Sequence, residues 1–525
     1  YDQTRADFDF DRGSNAAASR INSSGLIEKY RENLLTESNN FSDSDWTPKA
    51  GTFTQGVEDP NGGNTAWSWT ASNTDPYLYQ AIGTSGVFTL SIYAKGVGST
   101  IGKVLQFRNG STTQNFTLTS EWQRFELYAA AGGSNIGFEF GNPAVAGDVL
   151  HIYAAQWETG LVATEYLNST SVTAKAGVLI DLPRINYDAN GENGALLLEP
   201  SRQQLIQYSE YFNSSYWIKG GSPTVSVTDN AGISPEGISN ATRFVAASAA
   251  TSTRLYTAIT WTAVPHTLSL YVKNNGGTNK DFRFSYYDGS GQYFSPTFTI
   301  TDEWQRIEYT FTPTASSGGF WLVNTDTAGL NLDLLAYGAM LEQNASYKSS
   351  YIPNHGTSGG VTRAADYCVS SSLTTSTDFT IFFEAKDFCL INGSTGGSYD
   401  NVQFVFSPSG GPYDGGGSYH IYGNSLYYYN GSTNTSFGLI YNNQTDSKFA
   451  LVKRGNQGII YANGVKKTEV TLPSGADAKV INWDTINLTS SLQDTQGDVF
   501  GSNYKQLVKF DEALSDSELA TLTTL

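Results

Sequence analysis

The feature that most constrains this chain is a stretch that occurs twice. Asn33-Leu34-Leu35-Thr36-Glu37-Ser38-Asn39-Asn40-Phe41-Ser42-Asp43-Ser44-Asp45-Trp46 returns as Gln204-Leu205-Ile206-Gln207-Tyr208-Ser209-Glu210-Tyr211-Phe212-Asn213-Ser214-Ser215-Tyr216-Trp217. Further blocks follow in the same order. Asp59-Pro60-Asn61-Gly62 matches Ser234-Pro235-Glu236-Gly237, and Thr89-Leu90-Ser91-Ile92-Tyr93-Ala94-Lys95 matches Thr267-Leu268-Ser269-Leu270-Tyr271-Val272-Lys273. Thr119-Ser120-Glu121-Trp122-Gln123-Arg124 matches Thr301-Asp302-Glu303-Trp304-Gln305-Arg306, and Ala155-Gln156-Trp157-Glu158 matches Ala339-Met340-Leu341-Glu342. Ordered recurrence with slowly drifting spacing is one module used twice, its insertions confined to loops where they cost least. The modules span 33–167 and 204–352.

The blocks read as strands. Phe88, Leu90, Ile92 and Ala94 alternate with Thr89, Ser91, Tyr93 and Lys95, the period of a half-buried strand. Aromatics make up 13% of the chain and Gly numbers 53. Strand and turn formers at that level predict an all-β fold, with each module a two-sheet jelly-roll sandwich. Between the modules, Asn190-Gly191 separates two apolar runs and predicts a hairpin connector over 168–203. Residues 1–32 look like its counterpart before module 1. A linker over 353–368 then leads to a third region, 369–525, of different pattern. Its tail, Asp511 to Leu519, reads as a short helix with Ser515 as N-cap and Glu518 closing a capping box.

A net charge of −18 disfavours nucleic acid and anionic membrane surfaces. No run of 18 apolar residues exists, so no membrane-inserting helix is expected. Tyr1-Asp2-Gln3-Thr4-Arg5 is not a signal peptide and lacks an initiator Met, so a processed, trimmed or fragmentary chain is expected. Cys368 and Cys389 are too few for a disulfide scaffold, and the sequence leaves one bridge or two buried thiols open.

Several motifs carry a family resemblance. Phe8-Asp9-Phe10-Asp11-Arg12, Arg20-Ile21-Asn22, Pro183-Arg184-Ile185-Asn186-Tyr187, Leu196-Leu197-Leu198-Glu199-Pro200, Ser350-Tyr351-Ile352-Pro353 and Val361-Thr362-Arg363-Ala364-Ala365-Asp366 resemble segments of phage tail-fibre and virion-surface proteins. The modules are similar to the carbohydrate-binding-module-like jelly rolls of those proteins. Phe449-Ala450-Leu451-Val452, Tyr461-Ala462-Asn463-Gly464 and Phe510-Asp511-Glu512-Ala513-Leu514-Ser515 resemble laminin-G/concanavalin-like sandwiches. The resemblance implies a virion fibre, spike or capsid-decorating protein that binds glycan, contacts other virion proteins and forms a homotrimer. A purely structural virion spacer, or a secreted or cell-surface adhesin or accessory carbohydrate-binding protein, is the alternative.

Enzyme signals are poor. His151, His266, His355 and His420 stand apart, outside metal-ligand spacings. Gly356-Thr357-Ser358-Gly359-Gly360 fits GxSxG in form but lies in a glycine-rich stretch rather than a strand–turn–helix elbow. No catalytic residue and no definite cofactor is expected. Glu158 and Glu342 recur at one module position, which suits a structural hydrogen bond or salt bridge, or else Ca²⁺ ligation. Arg124 and Arg306 are expected to pair with Glu121 and Glu303 in the same turn. Trp46/Trp217 and Trp122/Trp304 recur, so both copies need them to fold, and Trp69 aligns with Phe244 as core. The unmatched aromatics are the ligand candidates. They are Trp67 (expected on the face opposite Trp69), Tyr77 and Tyr79 on one strand face, Tyr286, Tyr287 and Tyr293 around a glycine turn, and Tyr413, Tyr419, Tyr427, Tyr428 and Tyr429 in the third region.

Overall fold

The computed structural model describes residues 9–13, 17–109, 112–141, 144–222, 224–246, 251–324, 331–370, 377–389, 402–407, 418–422, 425–429, 434–439, 445–472, 485–487 and 501–525. The fold is all-β, built of open sheets with antiparallel neighbours. In module 1, one five-stranded sheet runs in the order Thr47–Lys49, Tyr77–Gln80, Ile136–Phe140, Val104–Asn109, Thr112–Thr117. The other runs Gly51–Val57, Ala66–Ala71, Val149–Thr159, Val87–Val97, Gln123–Ala131. Leu78, Phe107 and Phe138 from the first meet Trp69, Leu90 and Ile152 from the second in one core. Burial of these faces, which alternation supplies, is what holds the sandwich together.

Module 2 repeats the arrangement. Ile218–Ser222, Thr251–Thr260, Ser317–Asn324, Ser285–Tyr287 and Gln292–Phe294 form one sheet. Ser226–Gly232, Ala241–Ala246, Leu332–Gln343, His266–Asn274 and Gln305–Phe311 form the other, extended by Arg202–Gln204 and Val361–Arg363. The repeat reaches individual bonds. Trp46 and Trp217 are buried, and their indole N–H groups donate to Glu37 O at 2.9 Å and Tyr208 O at 3.0 Å. Asn33 accepts from Leu35 N and Trp157 N and donates to Ala155 O. Gln204 does the same with Ile206 N, Leu341 N and Ala339 O. Both long strands carry a bulge at one place, with Ala154 at φ 58° and Gly338 at φ 62°.

The strand Val87–Val97 departs from simple alternation, because Thr89 and Ser91 are buried as well as Leu90 and Ile92. The chain after Thr159 crosses this outer face, where Gly160 O accepts from Thr89 Oγ1 at 3.0 Å.

The third region contributes to two seven-stranded sheets, and both draw strands from far upstream. Asp9–Asp11 pairs with Tyr367–Ser370, setting Phe10 opposite Cys368. The hairpin Arg184–Asn186/Ala195–Leu198 pairs with Gly501–Phe510. Two strand segments within the expected connectors, Asp9–Asp11 and the 184–198 hairpin, are therefore edges of these sheets. The apolar run Ala195-Leu196-Leu197-Leu198 explains this, since Leu198 is fully buried in that region's core. A matching hairpin, Ser19–Ile21/Ile27–Lys29, lies on module 2. The helix spans Asp516–Leu522, with Ser515 as N-cap and the Glu518 capping box in place. Cys368 is buried, and burial pushes its thiol up to about 12; the side chain of Cys389 lies outside the described residues. No helix among the described residues is long and apolar enough to cross a membrane.

Candidate functional site

The outer face of the first sheet of module 1 brings together an aromatic pair and a polar row. Tyr77 and Tyr79 flank Leu78, whose side chain is fully buried, so both rings point outward by strand period. The rings are partly exposed, with centroids 5.4 Å apart and planes inclined at 37°. Glu139 lies opposite Tyr77, and Gly137 opposite Tyr79. Gln106 and Arg108 follow on the next strand, and Asn115 on the edge strand. Arg108 pairs with Glu139 at 2.9 Å, and Gln106 Nε2 donates to Asn115 Oδ1 at 2.7 Å. Gly137 is needed here, because a Cβ would fall 2.7 Å from Tyr79 Cβ and 2.1 Å from Leu78 O. The result is a flat face offering two rings, then an ion pair, then an amide pair. Rings accept C–H faces by dispersion, while the polar row supplies both donors and acceptors.

The other aromatics separate by burial. Trp67 is a correction: it is 5% exposed, lies in the core with Trp69, and donates its indole N–H to Asn39 O at 2.8 Å. Residues two apart on a strand share a face, so Trp67 follows Trp69 inward. Tyr286 is buried with its ring stacked 4.0 Å from Phe311, so it belongs to the module 2 core. Tyr293 stacks on Tyr286 at 4.9 Å from outside and is exposed, as is Tyr287. Tyr428 is buried in the third region's core and Tyr427 is partly exposed. Tyr413 and the side chains of Tyr419 and Tyr429 lie outside the described residues.

Glu158 and Glu342 face inward at equivalent places. Glu158 accepts from Thr164 N at 2.8 Å and from Gln156, and Glu342 accepts from Ser349 N at 3.0 Å and from Ser349 Oγ. Burial raises both carboxyls above their ordinary range. These bonds to the exit segment of each module are the structural use of the two acids. Among the described residues, no group of three or more His, Cys, Asp or Glu side chains is placed to hold a metal ion. Arg124 and Arg306 also differ from expectation. They reach past the turn glutamates to Thr164 O and Ser349 O, both at 2.6 Å, and to Ser91 Oγ and Ser269 Oγ. A carbonyl fixed by the fold outcompetes an exposed, mobile carboxylate in the same turn.

The residues that carry the virion-protein resemblance converge on one buried ionic cluster. Arg184 bonds Glu199 at 2.8 Å and also Asp366; Arg363 bonds Glu199 at 3.0 Å, and Arg12 bonds Asp366 at 3.4 Å. All five side chains are buried. Sequence reasoning found these residues as motifs but not their meeting, which depends on contacts across hundreds of positions.

No family model matches the chain, and no curated protein matches it in sequence. Among solved structures, the N-terminal CBM22-1–CBM22-2 tandem domain of Paenibacillus barcinonensis Xyn10C is similar at 12% identity, over 63% of this chain and 99% of its own, with a TM-score of 0.22. The CBM22-1 xylan-binding domain of the same protein is similar at 14% identity over 30% of this chain and 96% of its own, with a TM-score of 0.20. The ANXUR1 extracellular domain of Arabidopsis thaliana is similar at 10% identity, over 64% and 96%, with a TM-score of 0.19. The chain's own sheets and cores make it an all-β protein of tandem sandwich modules, and the likeness to these solved structures is weak. That likeness concerns fold alone and says nothing of ligand.

Proposed function

We propose that this chain binds carbohydrate without turning it over, and that the Tyr77/Tyr79 face of module 1 is a binding surface. The observation that carries the reading is the pair of partly exposed rings 5.4 Å apart, flanked on the same face by Arg108–Glu139 and Gln106–Asn115. Each ring contributes on the order of 1 kcal/mol to stacking, so one site binds weakly, near millimolar. Repetition along the chain and across copies raises avidity. Tyr287 and Tyr293 of module 2 are further surface aromatics of this kind.

The setting is an extracellular surface. The motif resemblance points to a virion fibre or decoration protein. Those motif residues, however, form the buried cluster that joins the domains, so any protein using this fold has reason to keep them. A secreted accessory carbohydrate-binding protein is therefore the setting we favour, with the third region as a further, concanavalin-like sandwich.

The test is purified chain on an array of oligosaccharides and polysaccharides, with the double variant Tyr77→Ala, Tyr79→Ala alongside. The variant should bind at least about tenfold more weakly and melt like the wild type. Wild-type chain that binds no arrayed glycan refutes the reading, and new reducing ends after incubation refute the absence of turnover. Fractionation of culture supernatant and purified particles decides the setting.

A further inference from the structure

The two modules differ on the outer face of their second sheet. In module 2 this face carries Tyr271, Tyr337 and Tyr351, with successive centroids 6.1 and 5.5 Å apart. The hairpin 19–29 covers it. Ala17 and Ile27 pack on Tyr337, Met340 and Tyr351. Ser19 Oγ donates to Tyr351 O at 2.5 Å, and Ile27 N donates to Pro235 O at 2.9 Å. Lys29 sits between two buried carboxylates, bonded to Glu210 at 2.8 Å and also to Glu236. Tyr337 and Tyr351 are left 0% and 1% exposed.

Module 1 carries the same tyrosines. Tyr93, Tyr153 and Tyr166 lie 6.1 and 6.0 Å apart in succession, and Tyr166 meets Ser38 at 2.7 Å as Tyr351 meets Ser209 at 2.8 Å. Here the rings stay partly exposed, together with Trp122. The two acids that receive Lys29 have no counterpart. Asn39 stands where module 2 has Glu210, and Asn61 where it has Glu236. Asn61 Nδ2 lies 3.5 Å from Tyr153 Oη, where Glu236 accepts from Tyr337 Oη.

We infer that this open face of module 1 is a second carbohydrate-binding platform, closed in module 2 by the chain's own hairpin. It rests on the reading of the chain as a carbohydrate binder, but on a different sheet from Tyr77 and Tyr79. The exchange of acids for amides decides between occupants. Burying a lysine ammonium against amides leaves the charge unpaired, which costs far more than hydrogen bonding returns. A strap like the Lys29 hairpin is therefore not what this face receives. Asn39 is held by Ala154 N and Thr65 O, whereas the exposed Asn61 amide can pair with neutral hydroxyls in both directions, and the rings supply flat apolar area. Lys95 lies over one face of the Trp122 ring at 5.0 Å and Arg124 over one face of the Tyr93 ring at 5.6 Å, which fixes both rings in place.

The test uses the full chain, the same neutral glycan array, and a synthetic peptide of residues 17–32 as the competing probe. In the Tyr77→Ala, Tyr79→Ala background, glycan binding should persist and should change the fluorescence of partly exposed Trp122. Adding Tyr153→Ala should weaken that remaining binding about tenfold. Asn61→Glu, an exposed position that leaves the fold intact, should weaken it about threefold by replacing a two-way partner with an acceptor. The inference is overturned if the Tyr77/Tyr79 variant loses all binding, or if Asn61→Glu and folded Tyr153→Ala bind like their parent. It is also overturned if wild-type chain binds the peptide at this face, or if light scattering shows a second copy seated there. Wild-type chain that binds no glycan sinks the proposed function itself, which distinguishes the two failures.

Discussion

Replacing Glu199 by Gln keeps the side chain's shape and removes its charge, and the structure fixes what that does. Glu199 is 3% exposed and accepts from Arg184, Arg363, Ser350 N at 2.6 Å and Ser350 Oγ. Burial alone would raise its pKa; Arg363 and Arg184 outweigh burial and hold it at about 2, against an ordinary 4.5. A difference of that size corresponds to about 3 kcal/mol. A depressed folded-state pKa means that this stability is present in full above pH 4.5 and is lost as pH falls from there to about 2. The substitution also leaves Arg12 and Arg184 to share Asp366 and takes from Arg363 its directly bonded carboxylate, and breaking a buried pair from one side costs about 3–5 kcal/mol. Calorimetry near pH 7 should show the variant less stable by about 3 kcal/mol, with module 2 and the third region both affected because the cluster joins them. The gap should close as the pH approaches 2. A gap under about 1 kcal/mol at pH 7, or one that does not change with pH, would refute the account of the cluster.

Gly338→Ala should destabilise module 2 by about 1–2 kcal/mol, since its φ of 62° is left-handed and the new Cβ would lie 3.0 Å from Tyr351 Cε2. Ala154→Gly, at the matching bulge with φ 58°, should leave module 1 unharmed or stabilise it by up to about 1 kcal/mol; a thermal melt of each variant checks both. Lys29→Met should strand Glu210 and Glu236 side by side in the interior, loosen the hairpin 19–29 and cost about 3 kcal/mol; limited proteolysis should then cut within that hairpin, and an uncut hairpin would contradict the latch.

What the sequence made legible follows the range of the interactions. The helix cap at Ser515 and Glu518 needs four residues and was readable from them. The Trp46/Trp217 anchors were readable because duplication marks what both copies require. Trp67 shows a readable signal misapplied: period two places it with Trp69, and both are buried. Tyr286 differs because the burying partner, Phe311, comes from a strand that local pattern does not connect to it. Tyr77 and Tyr79 were visible as a pair, whereas Arg108, Glu139, Gln106 and Asn115 were not, since only strand register lays them on the same face. The Asn39/Glu210 and Asn61/Glu236 exchanges lay within the aligned blocks all along. Their meaning required knowing that Lys29 reaches module 2.

That reach shows how the chain is assembled. The two hairpins are built alike, with Arg20–Glu28 at 2.7 Å in one and Arg184–Glu199 at 2.8 Å in the other. The first precedes module 1 and covers module 2; the second precedes module 2 and completes a sheet of the third region. Each hairpin is thus handed past its adjacent module to the following domain. The hairpins also touch, through Ile21 N to Asn186 Oδ1 at 2.8 Å and Tyr187 N to Ile21 O at 3.0 Å. Joined by flexible linkers, sandwiches would move independently. Here, moving module 2 away from the third region means breaking strand pairing and separating buried charges. The partly exposed aromatic faces of module 1 lie outside this junction. A ligand on those faces would leave the paired strands and buried charges of the junction untouched.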